Sequence, residues 1–178
     1  MLATFLTTKK HFINRGVTLI ETIIYIVLLV FVMSLIVQTL VATSGVYRNI
    51  KLTRELESSG TIAMESMLRE IRNASSVVVS ESELLKNPGV LTVFGIDEDS
   101  NSYSITFDVS SSTIRISKNG SIPTALTSSS GVVSYLMFTQ VATSTSEGVR
   151  IELEMSGVLG LASSSERFYG FSVLRGSY

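Results

Sequence analysis

Hydrophobic and polar positions along the chain fall into three regimes. The first, Val17 to Ala42, is a 26-residue apolar run without Gly or Pro, and Glu21 is its only charge. At about 1.5 Å of rise per residue it exceeds the roughly 20 residues that a helix needs to cross a bilayer. The pattern predicts a transmembrane helix over 17–42. A cleaved secretory signal is the competing account, because Ala42, Thr43 and Ser44 are small enough for a signal peptidase. Such signals use an apolar core of about 7 to 15 residues and no internal acid, so this run is too long and wrongly decorated.

In the second regime apolar residues recur at helical spacing: Val46, Ile50, Leu56, Ala63, Met64, Met67, Ile71 and Ala74, with Arg48, Glu55, Glu65 and Arg72 between them. This predicts an amphipathic helix over 43–76 with one face able to dock. Ser58, Ser59 and Gly60 are poor helix formers and predict a bend or weak point. A single helix from Val17 to about Ser75 would be roughly 90 Å long, the length of a stalk.

From 77 to 178 the period becomes two. Tyr103, Ile105, Phe107 and Val109 alternate with polar residues; Ile114 and Ile116 flank Arg115; Val149, Ile151, Leu153 and Met155 alternate with Arg150, Glu152 and Glu154. Each reads as a strand with one buried face. Val90 to Ile96, Val132 to Val141 and Phe168 to Leu174 add β-rich runs, with Val133 to Phe138 expected to be covered on both sides. Five or six strands in sequence predict an antiparallel meander. The serine triplets at 110–112, 128–130 and 163–165 read as solvated connections, and Asn119-Gly120 as a tight turn. The sheet needs a partner layer, and the helix from Val46 to Ala74 is the long amphipathic element on offer. The expected fold class is α+β, a long N-terminal helix packed against an antiparallel sheet.

Composition narrows the chemistry. The chain has 178 residues, no Cys and one His, His11, which precedes the apolar run. If the leader is removed, the rest holds neither residue type, which excludes Ser-His-Asp and Cys-His nucleophiles and zinc sites built on nitrogen or sulfur. Lys9, Lys10 and Arg15 stand in the first sixteen residues, leaving 11 basic and 15 acidic residues after them. A nucleic-acid-binding surface leans basic, and this one does not. Arg48, Lys51 and Arg54 balance the leader's cations, so charge alone does not orient the span.

Asp97, Asp99 and Asn101, with Asp108 further on, partly match a calcium loop. Ser102 replaces the turn glycine and Asp108 the final Glu. On a strand of about 3.3 Å per residue, Asp108 would lie about 23 Å from Asn101. A polar hairpin tip accounts for these residues better, and no metal or other cofactor is expected. Asn73-Ala74-Ser75 and Asn119-Gly120-Ser121 read as a helix end and a turn rather than glycan sites. Leu159 and Leu161, in a glycine-flanked loop, read either as a partner contact or as a tucked loop.

Glu21 is the residue that most needs a reason. An unpaired carboxylate inside a bilayer costs about 2.5 to 3.5 kcal/mol on insertion scales and marks a functional position whose partner must be named. The plain alternative is that Glu21, close to the end of the run, snorkels to water.

The stretch "RGVTLIETIIYIVLL", a short basic leader followed by Gly16, Val17 and Thr18-Leu19-Ile20-Glu21 at the head of a membrane helix, resembles the class III signal of type IV prepilins and type II secretion pseudopilins. "MLREIRNASSV", followed by strands and closing in "FSVLRGSY", is similar to minor pilins of the W kind and minor pseudopilins of the J kind. The resemblance implies a prepilin leader over 1–16, cleavage by a prepilin peptidase between Gly16 and Val17, and N-methylation of Val17. It implies assembly through Glu21, whose carboxylate would pair with the new α-amine of a neighbouring subunit, giving register rather than raw affinity. It also implies a cytoplasmic leader, a sheet domain outside, and other pilin subunits, an assembly platform and the bilayer as partners, with no nucleic acid. Two departures stand out: Val17 replaces the common phenylalanine, and the span lacks the usual proline, as befits a minor subunit. Such a protein is not an enzyme but the substrate of one. The rival from another class is a signal-anchored surface-binding or sensor protein that never polymerises.

Overall fold

The computed structural model describes residues 18–97, 99–128, 131–143, 146–160 and 162–175. The chain divides into two units, one ending at Thr43 and the other beginning at Ser44. It is α+β. Helix α1, Leu19–Asn73, is followed by eight strands among the described residues. These are β1 (Ser76–Val77), β2 (Leu91–Ile96), β3 (Ser102–Ser110), β4 (Thr113–Lys118), β5 (Thr124–Ala125), β6 (Val132–Ala142), β7 (Glu147–Leu159) and β8 (Ala162–Val173), with a turn of 3₁₀ helix at Val79–Glu81.

In the first unit the apolar residues of α1 are exposed, Leu19 at 79% and Leu40 at 71%, and no residue of the membrane-length window is buried inside the fold. Apolar side chains with no protein layer over them fit a helix solvated by lipid.

In the second unit α1 buries Leu52, Leu56, Ser59, Gly60, Ala63, Met64, Met67 and Ile71, a stripe stepping by three and four. Two residues expected on that stripe are not there: Val46 is 60% and Ile50 48% exposed. At about 100° per residue Ile50 is turned roughly 120° from Leu56, whereas Leu52 lies one turn from it and takes the buried place. The helix also runs through Ser58, Ser59 and Gly60 without interruption. Their small size serves packing: a Cβ on Gly60 would stand 2.2 Å from the Phe168 ring, and the Ser59 hydroxyl accepts the Ser128 N–H at 3.1 Å.

The strands make two antiparallel sheets rather than one meander, in the orders β1-β2-β3-β4-β5 and β6-β7-β8. The break follows β5, which pairs only Thr124 and Ala125 with β4. Leu126 N–H then donates to the Ile114 carbonyl at 2.8 Å, and the Thr127 hydroxyl accepts the Ile114 N–H at 3.1 Å. A side chain thus ends the ladder, and the next strand opens a second sheet. The inner faces of both sheets, including Val93, Ile105 and Phe107 from one and Leu136, Phe138, Ile151 and Leu153 from the other, join the α1 stripe in one core.

Two further expectations change. Val133 to Phe138 is not covered on both sides: Ser134 is exposed, while Tyr135 and Met137 are half-buried. They belong to the outer face of β6-β7-β8. Ser163 to Ser165 is not a connection but the start of β8, paired with Gly157, Val158 and Ser156 of β7. The turn lies instead at Gly160, at φ +66. The serines at 111 and 112 do form a turn, both in the left-handed region at φ 50 and 60, and Asn119-Gly120 does so at φ 51 and 67.

Candidate functional site

Thr18 stands just before the first residue of α1, and its hydroxyl accepts the Glu21 N–H at 3.4 Å. Its carbonyl takes the Thr22 amide at 3.1 Å and the Thr22 hydroxyl at 3.2 Å. Thr-x-x-Glu is the pattern of a capping box, in which the glutamate side chain reaches back to the N-cap amide. Here one carboxylate oxygen is engaged by another side chain. The Tyr25 hydroxyl donates to Glu21 Oε1 at 2.9 Å. Residues four apart share a helix face, so Tyr25 is well placed to hold the carboxylate.

Side chains on a helix lean toward its N-terminus, so the Tyr25 hydroxyl reaches back over the turn that carries Glu21 and meets the carboxylate there. Glu21 is half-covered, Tyr25 is 57% exposed, and Ile24 and Leu28 beside them are 58% and 60% exposed. Glu21 is the single charge from Thr18 to Tyr47. This is a carboxylate held on an uncovered apolar surface, able to take a cation from outside the chain. Gly16 and Val17, the residues expected at a cleavage and methylation site, lie outside the described residues. The sequence reading named Glu21 but missed Tyr25 and the half-formed cap; both were legible from the i,i+4 spacing and the Thr-x-x-Glu pattern.

The sheet domain carries other polar groups. Asp108, considered for a calcium loop, lies on β3 opposite Arg115 and forms an ion pair with it, Arg115 Nε standing 3.0 Å from Asp108 Oδ1. Asp97 N–H bonds to the Asn101 carbonyl at 2.9 Å, closing the β2–β3 turn as a polar tip. Lys118 on β4 meets Glu70 of α1 at 2.9 Å, and the Tyr103 hydroxyl donates to the Asn73 carbonyl at 3.2 Å. The Tyr103 phenol is pushed above its ordinary value of 10.0, first by burial and then by the nearby Glu70 charge, with Lys118 opposing and Asp97 adding a smaller push. These contacts fasten the last turns of α1 to the first sheet.

A cleft of about 620 Å³ lies within the second unit, where Tyr47, Ile50, Lys51, Arg54 and Ile62 of α1 face Leu126. Lys51 and Glu55 on its wall are 3.9 Å apart. On the outer face of β6-β7-β8, Arg167 pairs with Glu154 at 2.7 Å and Arg150 with Glu152.

Comparison of the chain with protein-family models, curated proteins and solved structures gives no significant match.

Proposed function

We propose that the chain is a minor pilin or pseudopilin, a structural subunit that a prepilin peptidase trims after Gly16 and that joins or initiates a type IV pilus-like filament. One observation carries the reading: a lone carboxylate, Glu21, is held by Tyr25 on an otherwise apolar helix end that no described residue buries. An intramembrane acid needs a cation, and removal of the leader creates one in the α-amine of Val17. A neighbouring subunit can present that amine at the depth of Glu21, so the pair fixes the axial register of two helices. The long α1 and the antiparallel sheets that bury its outer half support the same reading, as a pilin-like arrangement.

On this reading the apolar part of α1 anchors the precursor in the cytoplasmic membrane, with the leader inside and the sheet domain outside. Other pilin subunits and a membrane assembly platform are its partners, and it performs no catalysis itself. Mass spectrometry of the amino terminus, with the protein expressed with and without a prepilin peptidase, tests the proposal. The mature chain begins at Val17 only when the peptidase is present. A chain that keeps Met1, or begins near Thr43, sinks it and leaves the signal-anchored surface protein in its place.

A further inference from the structure

We infer that Tyr25 is a positioning residue for Glu21, fixing the carboxylate for the ammonium group that the assembly reading brings to it from a neighbouring helix. This rests on the assembly reading and adds to it the residue that shapes the site.

The argument begins with what a carboxylate on this surface can do alone. A glutamate side chain has rotatable bonds and, one turn from a helix start with a Thr-x-x-Glu pattern, two local uses for its charge: the N-cap amide behind it and water beyond the membrane edge. Either turns the carboxylate away from a neighbouring helix. The hydrogen bond from Tyr25 to Glu21 Oε1, at 2.9 Å, ties one of its oxygens to the helix face that the two residues share. Tyrosine suits this task, because its ring is at home on an apolar helix surface with Leu28 and Leu29 a turn further on, while its hydroxyl offers one donor.

The bond also leaves acceptors for the ligand. With Oε1 engaged, the site presents Oε2, the remaining lone pair of Oε1, and the phenol oxygen, which can still accept once its own proton is given to Glu21. These acceptors suit an ammonium, a compact charge with several rotatable N–H groups. An α-amine fits, and one methyl group on it leaves N–H donors to spare.

The test is a double-mutant cycle on the full chain in the cell that produces it. Incorporation into sheared filaments is measured against the amount of each variant in the membrane. Glu21→Gln removes the charge, and Tyr25→Phe removes only the hydroxyl. Tyr25→Phe is expected to lower incorporation about threefold, the effect of a typical interhelical hydrogen bond in a bilayer. In the Glu21→Gln background it should have no further effect, because a residue that acts through another is silent once that other is gone. A ring that merely packs would lower incorporation equally in both backgrounds, and that result overturns the inference, as does full incorporation of Tyr25→Phe while Glu21→Gln is impaired. If Glu21→Gln itself incorporates normally, the assembly role of Glu21 fails and the inference fails with it.

Discussion

At the scale of single residues the chain uses its few ionisable groups sparingly. Tyr103 shows how one side chain can report on the seam between helix and sheet. Its hydroxyl reaches the carbonyl of Asn73, the last residue of α1, while Glu70 and Lys118 pair beside it. Burial and the Glu70 charge raise its phenol above 10.0, so the folded chain holds the proton more tightly than the unfolded chain does. The stability that this proton contributes is complete below the unfolded value and is lost as pH rises through the higher folded one. Denaturation measured from about pH 9 to about pH 11 should therefore show the native protein losing stability more steeply than Tyr103→Phe. The variant starts lower, for want of the bond to Asn73, and the two curves converge. Parallel curves would show that the phenol titrates alike in both states.

At the scale of elements the instructive case is the middle of α1. Ser58-Ser59-Gly60 suggested weakness because propensity speaks only of the isolated helix. Whether a glycine is there for flexibility or for room depends on what faces it, and Phe168 is more than a hundred positions away. Gly60→Ala sets the two effects against each other. Helix propensity gains about 1 kcal/mol, while overpacking costs about 1 to 3 kcal/mol because the new methyl group meets the Phe168 ring. The expected outcome in urea denaturation is a net loss, recovered in part by Phe168→Leu, which shortens the opposing side chain. A gain in stability would mean that the ring swings aside without cost. The strands teach the same lesson. Alternation along Tyr103 to Val109 and Val149 to Met155 was enough to place β3 and β7, because burial of one face writes a period of two into the sequence. Nothing in that period tells which strands share a sheet. The division after β5 depends on the Thr127 hydroxyl replacing a backbone partner, and β8 begins at Ala162 only because β7 extends to Leu159 opposite it.

At the scale of the whole molecule the two units differ in what covers their apolar residues: those of the described first unit are exposed, and those from Leu52 onward build a core. Legibility follows from that. The apolar run was plain in the sequence because a helix long and apolar enough to span a bilayer has no pairing to infer. Glu21 stood out there for the same reason, while its partner Tyr25 was legible only through the i,i+4 spacing, since a tyrosine in an apolar segment is unexceptional until its hydroxyl is located. The sheet domain was legible in class and period, and its core stripe on α1 only in part, as the exposure of Val46 and Ile50 shows. The division also predicts behaviour. Among the described residues, every member of the hydrophobic core lies at Leu52 or beyond, within the second unit. Of the described residues, removing 1–43 takes away exposed apolar surface and no member of that core. A fragment of 44–178 should be soluble without detergent and unfold in a single cooperative transition, with a melting temperature within a few degrees of that of the same domain in the detergent-solubilised full chain. The fragment keeps Val46, Tyr47 and Ile50 exposed, with the charged Arg48, Lys51 and Arg54 beside them to favour solubility. Circular dichroism melts of both proteins, with sedimentation of the fragment, check this. A fragment that aggregates or melts without cooperativity would mean that the first unit contributes to the stability of the second.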